Sequence, residues 1–464
     1  MTKADILIHN GTILTMDDQN KIVPHGLLAI SGNTIRYIGQ PARHLPARAL
    51  QWQAGRPAVQ DSGEAGGVEK GSITAQKELD AEGGLILPGL INSHTHAAMT
   101  LFRGLADDLP LMEWLNNYIF PAESKMDADF VRVGTLLACA EMILSGTTTF
   151  CDMYLFEEEV ARAAQEAGMR CLVGEVIYDF PSPNYGELEK GFIYTEALIE
   201  RWRDDPLVNI AVEPHSLFTC GVELLLKAND IALSKDVPLI LHLAETETEL
   251  EAIEKKYGKR PVQHLKDLGL LGPHLIADHC VHINKSEIEL LAESKVRVVH
   301  NPESNMKLAS GIAPVPEMIA KGITVGLGTD GCASNNNLDL FGEMDMAAKL
   351  HKVNKLDPTV MDAHTLVKMA TIDGARTLGL DGITGSLEVG KMADLIVVDT
   401  NRPHLIPMYN PYSHLVYAAR GHDVKHSIIN GSIVMEDRRL LTLDLEDILV
   451  RSREKSEKVR EWVR

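Results

Sequence analysis

The sequence predicts an α/β protein: a (β/α)8 TIM-type barrel with a small β-sandwich formed from both chain termini. Three observations predict it. From Leu85 to about Thr384, short apolar runs alternate with longer amphipathic segments, the signature of repeated strand–helix units. These units fill roughly 300 residues, where a barrel of this kind typically takes about 250. Short strands joined by turns occur before and after them, so the two ends of the chain are expected to meet in one accessory body. An open doubly wound sheet is the rival architecture, but no Gly-x-Gly-x-x-Gly follows any of the apolar runs.

Each element has its own signal. Asp5–His9, Gly11–Met16, Gly26–Ser31 and Thr34–Gly39 alternate like strands, and Asn10-Gly11 and Gly32-Asn33 are hairpin-type turns between them. Residues 41–78 lose periodicity and read as a long surface excursion, with order returning at Lys77. Leu85 to His96 begins as an unbroken apolar run, as a fully buried parallel strand does. Helical patterns at Met126–Ser145, Glu157–Ala167, Val222–Lys235, Glu247–Tyr257 and Lys285–Ser294 alternate with further strands. Those strands are Gly146–Asp152, Arg170–Val176, Val208–Glu213, Pro238–His242, Leu275–His279, Val296–His300 and Thr324–Thr329. Strands return at Gly390–Asp399 and Val424–Met435, and charged Glu446–Arg464 reads as an exposed closing helix. The expected division is therefore 1–84 for the first part of the sandwich, 85–387 for the barrel, and 388–464 for the second part with the terminal helix.

The 464 residues are ample for a barrel with an accessory body, and 45% apolar with 24% charged residues is ordinary for a soluble globular chain. No apolar run reaches the length of a membrane span. A formal net charge of −20 argues against nucleic-acid or anionic-membrane partners. The six cysteines form no Cys-x-x-Cys pair, and the first residues carry no signal-peptide pattern, which together predict a cytoplasmic protein.

Function is legible at the strand ends. In a barrel, reactive groups collect at the C-terminal ends of the strands. Here those ends read His94-Thr-His96, Glu213-Pro-His215, His242-Leu-Ala-Glu245, Asp278-His279-Cys-Val-His282, His300-Asn301 and Thr329-Asp330. Side chains two apart on a strand point the same way, so His94 and His96 face one interior point. A buried histidine is more often a satisfied core residue than a ligand. So many polar groups at one end of a barrel, however, are costly unless paired or bound to a metal.

The same residues carry a resemblance. Pro88-Gly-Leu-Ile-Asn-Ser-His94-Thr-His96, Arg103-Gly, Trp114-Leu, Pro121-Ala-Glu123, Pro214-His215-Ser, His242-Leu-Ala-Glu245-Thr, His279-Cys-Val-His282, His300-Asn-Pro-Glu-Ser-Asn305 and Gly328-Thr-Asp330-Gly-Cys-Ala-Ser334 lie in order along the chain. As a set, spanning about residues 80 to 400, they resemble the amidohydrolase superfamily, and within it the 5-methylthioadenosine/S-adenosylhomocysteine deaminases. The resemblance implies one divalent metal per chain, most often Zn2+, held by His94, His96, His242 and Asp330. No lysine stands at a strand end to bridge two metals, so a mononuclear site is expected. It further implies Asp330 as the base that accepts a proton from water, His279 as the group that steadies the attacking oxygen, and Glu245 as the proton donor to the purine ring. Glu123 and His215 are implied as substrate contacts, with Glu123 on the ribose hydroxyls. Trp114 and Ser334 are expected to line the purine pocket, Trp114 serving equally as a helix core residue. His282 and His300 are expected to support ligands or loops.

The implied reaction is hydrolytic deamination of an adenine nucleoside, foremost 5′-methylthioadenosine to 5′-methylthioinosine and ammonia, with S-adenosylhomocysteine and adenosine as further substrates. A purine nucleoside is thus the expected partner, and homo-oligomers are compatible with the sequence. Alternatives are a guanine, pterin or triazine hydrolase on the same barrel, or a non-catalytic barrel acting as an assembly partner, although no ligand is missing. A cytidine-type zinc deaminase is excluded by the lack of Pro-Cys-x-x-Cys. Within the nucleosides, Asp179 to Lys190 offers no arginine for an amino-acid tail but does offer Phe180 and Tyr185 for an apolar 5′ group.

Overall fold

A computed structural model describes residues 2–41, 73–109 and 111–462. Among the described residues, eight parallel strands form the barrel. In order they are Leu90–Thr95, Thr147–Tyr154, Arg170–Ile177, the broken pair Val208–Ile210 and Glu213–Pro214, Leu239–Leu243, Leu275–His279, Arg297–His300 and Val325–Leu327. Val212 and His242 carry the main-chain hydrogen bonds that join the fourth strand to the fifth (Ile240 N to Val212 O and His242 N to His215 O, both 3.0 Å). The ring returns to its start where Thr329 N and Asp330 N both donate to His94 O, at 3.1 and 3.0 Å. A side chain at Gly328 would strike Asn301 Oδ1 at 2.3 Å and the His94 main chain at 2.8 Å, so this closure needs a glycine. The strands are buried almost throughout because helices cover the outside and packed side chains fill the inside.

The terminal segments form one hydrogen-bonded sheet of nine strands. Its N-terminal members are Thr2–Leu14, Ile22–Ser31, Thr34–Gly39, Ile73–Asp80 and Leu85–Pro88; the C-terminal members are Leu395–Val398, Val424–Ile429, Ser432–Glu436 and Arg439–Leu440. The sheet wraps over itself like a sandwich. Ile6, Ile8, Leu28 and Ile35 from one side and Ile86, Leu395, Val397 and Ile428 from the other share a single buried core.

The strand expected from Leu85 to His96 is two strands in two sheets. Leu85–Pro88 pairs antiparallel with Leu395–Val398, and only from Leu90 does the chain enter the barrel beside Thr147. The break falls at Gly89, where a Cβ would lie 2.0 Å from Thr148 Oγ1. The barrel therefore starts at Leu90 and not at Leu85. Asn10-Gly11 is also not a hairpin: Thr2–Leu14 is one strand, and these residues form a bulge in it, with Asn10 at φ 60° and the register shifting between His9 and Gly11. Of the expected excursion at 41–78, residues 42–72 lie outside the described residues, while Ile73–Asp80 is a strand parallel to the first. Its polar sequence follows from its burial, since it covers only Ile73 and Leu79. The last helix, Leu445–Trp462, is not simply exposed. It packs Ile448 and Val459 inward, and Trp462 lies 5.2 Å from the Phe130 ring of the helix Ala128–Ser145. No helix among the described residues is long and apolar enough to cross a membrane.

Candidate active site

The C-terminal ends of the barrel strands bring His94, His96, His242, His279 and Asp330 together. His94, His242 and His279 place one ring nitrogen each within 4.8 Å of one another, and so do His94, His96 and a carboxylate oxygen of Asp330. Ring centroids around His94 are 4.9 Å to His96, 5.0 Å to His242 and 5.6 Å to His279. The main chain bends sharply here: Ala244, His279, Cys280 and Asp330 all have φ between 47° and 69°. Such left-handed turns at residues other than glycine cost roughly 1–3 kcal/mol each and gather where a site needs them.

Each imidazole is oriented by its Nδ1. His96 Nδ1 reaches Met153 O at 2.5 Å, His242 Nδ1 reaches His215 O at 2.9 Å, and His279 Nδ1 reaches Asn305 Oδ1 at 2.8 Å. His94 Nδ1 lies 3.1 Å from Asp278 Oδ2, close enough for an ion pair but without the alignment of a full hydrogen bond. With protons held on Nδ1, the Nε2 lone pairs of His96, His242 and His279 are left free for a ligand. His94 Nε2 is fully buried and has no hydrogen-bond partner within the protein, an orphaned polar atom at the centre of the cluster. Asp330 Oδ1 lies 3.1 Å from His96 Nε2 and 3.5 Å from His94 Nε2. Its other oxygen is held by Ser304 Oγ at 2.6 Å and Ser334 Oγ at 3.1 Å. This donor set of imidazole nitrogens and a carboxylate oxygen fits a zinc-like ion.

Electrostatics agree with the geometry. Burial opposes charge on His94, yet Asp278 and Asp330 outweigh it and raise its pKa to about 10. A carboxylate environment that favours a proton there equally favours a divalent cation. Burial would raise Asp330, but its hydrogen bonds to His94 and His96 hold it well below the usual carboxylate range. Burial, followed by repulsion from the surrounding imidazoles, keeps His242 far below its ordinary value and His215 at about 4, so both are neutral.

A cavity of about 470 Å³ opens over the cluster, within the range of small-molecule sites. His96, His242, His279 and Asp330 line it, as do the other expected substrate contacts, Glu123, His215, Glu245, Trp114 and Ser334. Trp114 is both core and lining, being 6% exposed. Ser334 reaches the cavity with its hydroxyl already committed to Asp330. Glu123 accepts from Tyr154 Oη at 2.8 Å; burial raises its carboxyl to about 7 against the pull of that hydrogen bond. Phe180 lines the cavity and stacks on Tyr178 at 3.8 Å between ring centroids, whereas Tyr185 turns away to donate to Val176 O at 3.1 Å. His282 and His300 lie outside the lining: His282 Nε2 meets Ser310 O at 2.6 Å, and His300 Nε2 lies 3.1 Å from His351 Nε2.

Several residues here were not anticipated. Ser304 and Asn305 fix Asp330 and His279, and both stand in the motif after His300. Glu249 accepts from the main-chain N–H of Ala244 and Glu245 at 3.3 and 2.9 Å, and so sets the turn that carries Glu245. Tyr154 ends the second strand, where the strand-end rule applies equally. Lys256, from the helix Glu247–Tyr257, also lines the cavity, and among the described lining residues it is the only lysine or arginine.

Known proteins resemble this chain over nearly its whole length. The model of the amidohydrolase family matches residues 85–434. The chain is 58% identical over 452 residues to a 5-methylthioadenosine/S-adenosylhomocysteine deaminase of Syntrophobacter fumaroxidans, covering 97% of this chain and 98% of that one. It is 42% identical to a 5′-deoxyadenosine deaminase of Methanosarcina acetivorans, covering 98% of each. Among solved structures, an adenosine deaminase from Xanthomonas campestris with bound zinc superposes with a TM-score of 0.91 at 35% identity, covering 99% of each chain.

Proposed function

The chain belongs to the amidohydrolase family, and from that premise we propose that it hydrolytically deaminates adenine nucleosides, with 5′-methylthioadenosine as the leading substrate. One observation carries this reading: His96, His242 and His279 with Nδ1 hydrogen-bonded and His94 beside Asp278, gathered with Asp330 in two overlapping groups of ligand atoms within 4.8 Å, under a cavity that Glu123 and Glu245 both line. We assign His94, His96, His242 and Asp330 as holders of one divalent ion, zinc-like by its donors. When bound, such an ion supplies Lewis acidity that makes water a nucleophile near neutral pH.

The protein's own groups do the rest. Asp330, steadied by Ser304 and Ser334, accepts the proton that water gives up. His279, its Nδ1 proton held by Asn305, turns Nε2 toward the attacking oxygen. Glu245 donates a proton to the ring nitrogen beside the amino-bearing carbon, which makes that carbon electrophilic. The water oxygen bonds to that carbon, Asp330 passes the proton it accepted to the amino nitrogen, and the C–N bond breaks to release ammonia. The remaining hydroxyl proton returns to Glu245 as the carbonyl forms, while the proton Glu245 gave stays on the ring nitrogen of the inosine-type product. Glu123 accepts the two ribose hydroxyls, and neutral His215 offers the substrate a hydrogen bond without charge.

The 5′ preference follows from the wall it meets. Phe180 and Phe218 are apolar and suit a methylthio or deoxy end, and a carboxylate tail finds Lys256 as its lone lysine or arginine among the described lining residues. The deciding experiment measures kcat/KM for 5′-methylthioadenosine, 5′-deoxyadenosine, S-adenosylhomocysteine, adenosine and guanine. 5′-Methylthioadenosine is expected to lead, and Lys256→Met is expected to cost S-adenosylhomocysteine more than it costs the others. A lead for guanine would refute the nucleoside reading. In parallel, Glu245→Gln and His279→Asn are expected to keep the metal and lose about 10²–10⁴-fold in kcat; normal turnover in either would remove that residue from the mechanism.

A further inference from the structure

A second group of ligand-type side chains lies far from the catalytic rim. Asp423 ends the short 3-10 turn Gly421–Asp423, just before the strand Val424–Ile429. A Cβ at neighbouring Gly421 would touch Ser145, the last residue of the helix that leads into the second barrel strand, so the group sits on the N-terminal side of the barrel. Asp423 is 1% exposed. Its Oδ2 accepts from Arg420 N at 3.0 Å and from His404 Nε2 at 2.9 Å. Its Oδ1 is fully buried, has no hydrogen-bond partner, and lies 3.7 Å from His422 Nε2, too far for a hydrogen bond.

The nearby cations do not account for that oxygen. Arg438 Nη1 donates to the main-chain oxygens of Leu144, Gly421 and Val424 at 3.1, 3.1 and 2.8 Å, and Arg402 pairs with Asp399 at 2.9 Å. What remains is two imidazoles, half to two-thirds exposed, that bring Nε2 to one buried carboxylate from different turns. All three donor atoms fall within 4.8 Å of one another. Zinc bonds of about 2.0–2.2 Å at tetrahedral angles set neighbouring donors roughly 3.3–3.6 Å apart; His422 Nε2 lies 3.7 Å from the unpartnered Oδ1, and His404 Nε2 lies 2.9 Å from the other oxygen of the same carboxylate.

We propose that His404, His422 and Asp423 form a second divalent-cation site, distinct from the catalytic one. Two imidazoles select a borderline ion such as Zn2+ over Mg2+ or Ca2+, and the exposed side of the group leaves room for water to complete the coordination. Such an ion clips the turn Pro403–Leu405 to the turn Gly421–Asp423, two segments joined by a long connection, at the foot of the terminal sheet.

The test equilibrates the whole protein with micromolar buffered zinc, then reads zinc per chain and the thermal midpoint. Because Asp423 is buried, the variant is the exposed pair H404A/H422A. The double variant is expected to hold one equivalent fewer than the native chain, to lose the rise in midpoint that added zinc produces, and to keep full deaminase turnover. Losing a partner of a ligand already costs about 10–100-fold in affinity, so each single variant, which removes a ligand outright, is expected to weaken the second equivalent by at least about 100-fold. Only the difference between native and variant counts, whatever the barrel itself holds. Equal zinc content in the two proteins overturns the proposal, and so does a zinc-induced midpoint shift that survives in the double variant.

Discussion

Two buried polar clusters in this molecule make an instructive pair. Beneath the terminal sheet, Arg170 meets Asp394 with both side chains essentially inaccessible: Nε to Oδ2 is 2.7 Å, Nη1 donates to Pro206 O at 2.7 Å, and Asn430 N donates to Asp394 Oδ1 at 2.6 Å. This cluster closes on itself and pins the start of the third barrel strand to the sheet. At the catalytic rim the burial is as deep, but His94 Nε2 and both oxygens of Asp278 make no hydrogen bond, Asp278 having only its 3.1 Å ion pair with His94 Nδ1. The Arg170–Asp394 pair, held for structure, is satisfied from within the chain. A cluster held for chemistry keeps a valence for something that arrives.

The largest expected effect comes from breaking the open cluster. His94→Ala and Asp330→Asn should each lower kcat by about 10⁴-fold or more, since general acid–base groups alone contribute up to about that factor. Zinc content should fall with them, because each substitution removes a candidate ligand. A metal-free native protein with full turnover would contradict the assignment.

Breaking the closed cluster should do the reverse. Arg170→Met leaves Asp394 buried without its cation, and removal of one partner from such a pair costs about 3–5 kcal/mol. Denaturant unfolding should show that loss, with kcat per folded molecule unchanged. A large fall in kcat at normal stability would mean that the two clusters are coupled after all.

The contrast also explains what the sequence could be read for. Periodicity gave the helices Glu157–Ala167, Val222–Lys235 and Glu247–Tyr257 to the residue, and the short apolar run Leu275–His279 as a strand, because each is bounded by an evident stop. It could not divide Leu85–Pro88 from Leu90–Thr95, since both are buried on all sides and only the contact of Gly89 with Thr148 separates them. Asn10-Gly11 carries the local chemistry of a turn, yet pairing on both flanks keeps the chain extended through it. At the site, His94, His96, His242, His279 and Asp330 were visible by residue type and strand position. The roles of Ser304, Asn305 and Glu249 were not, because an oxygen that holds a tautomer or a turn acquires that role only when strands distant in sequence meet.

The smallest expected effect lies in the cavity wall and sharpens the comparison at a single carboxyl. Glu123 has one internal partner, Tyr154, and keeps its remaining acceptor capacity for substrate. Burial raises its pKa to about 7, from an ordinary carboxylate value, and the Tyr154 hydrogen bond limits that rise. Below pH 7 the group is therefore protonated in the free enzyme and accepts the ribose hydroxyls poorly. kcat/KM for 5′-methylthioadenosine should climb as pH rises through about 7, mainly through KM. The stability of the ligand-free protein should run the other way. Between the unfolded carboxylate pKa and about 7 the folded state binds more protons than the unfolded one, so stability falls as pH rises across that window. Tyr154→Phe removes the hydrogen bond that favours the ionised form, and should move the inflection to higher pH and widen the window. Glu123→Gln should remove the KM inflection and lessen the fall in stability, whose remainder belongs to Glu249 and Glu175, both also raised to about 7 by burial. Because Glu249 is also raised to about 7 by burial, a 2′,3′-dideoxy analogue supplies the control: lacking the hydroxyls that Glu123 would accept, it should show no inflection from this group. An inflection of equal size with the dideoxy analogue would assign the titration to Glu249 and take the ribose away from Glu123.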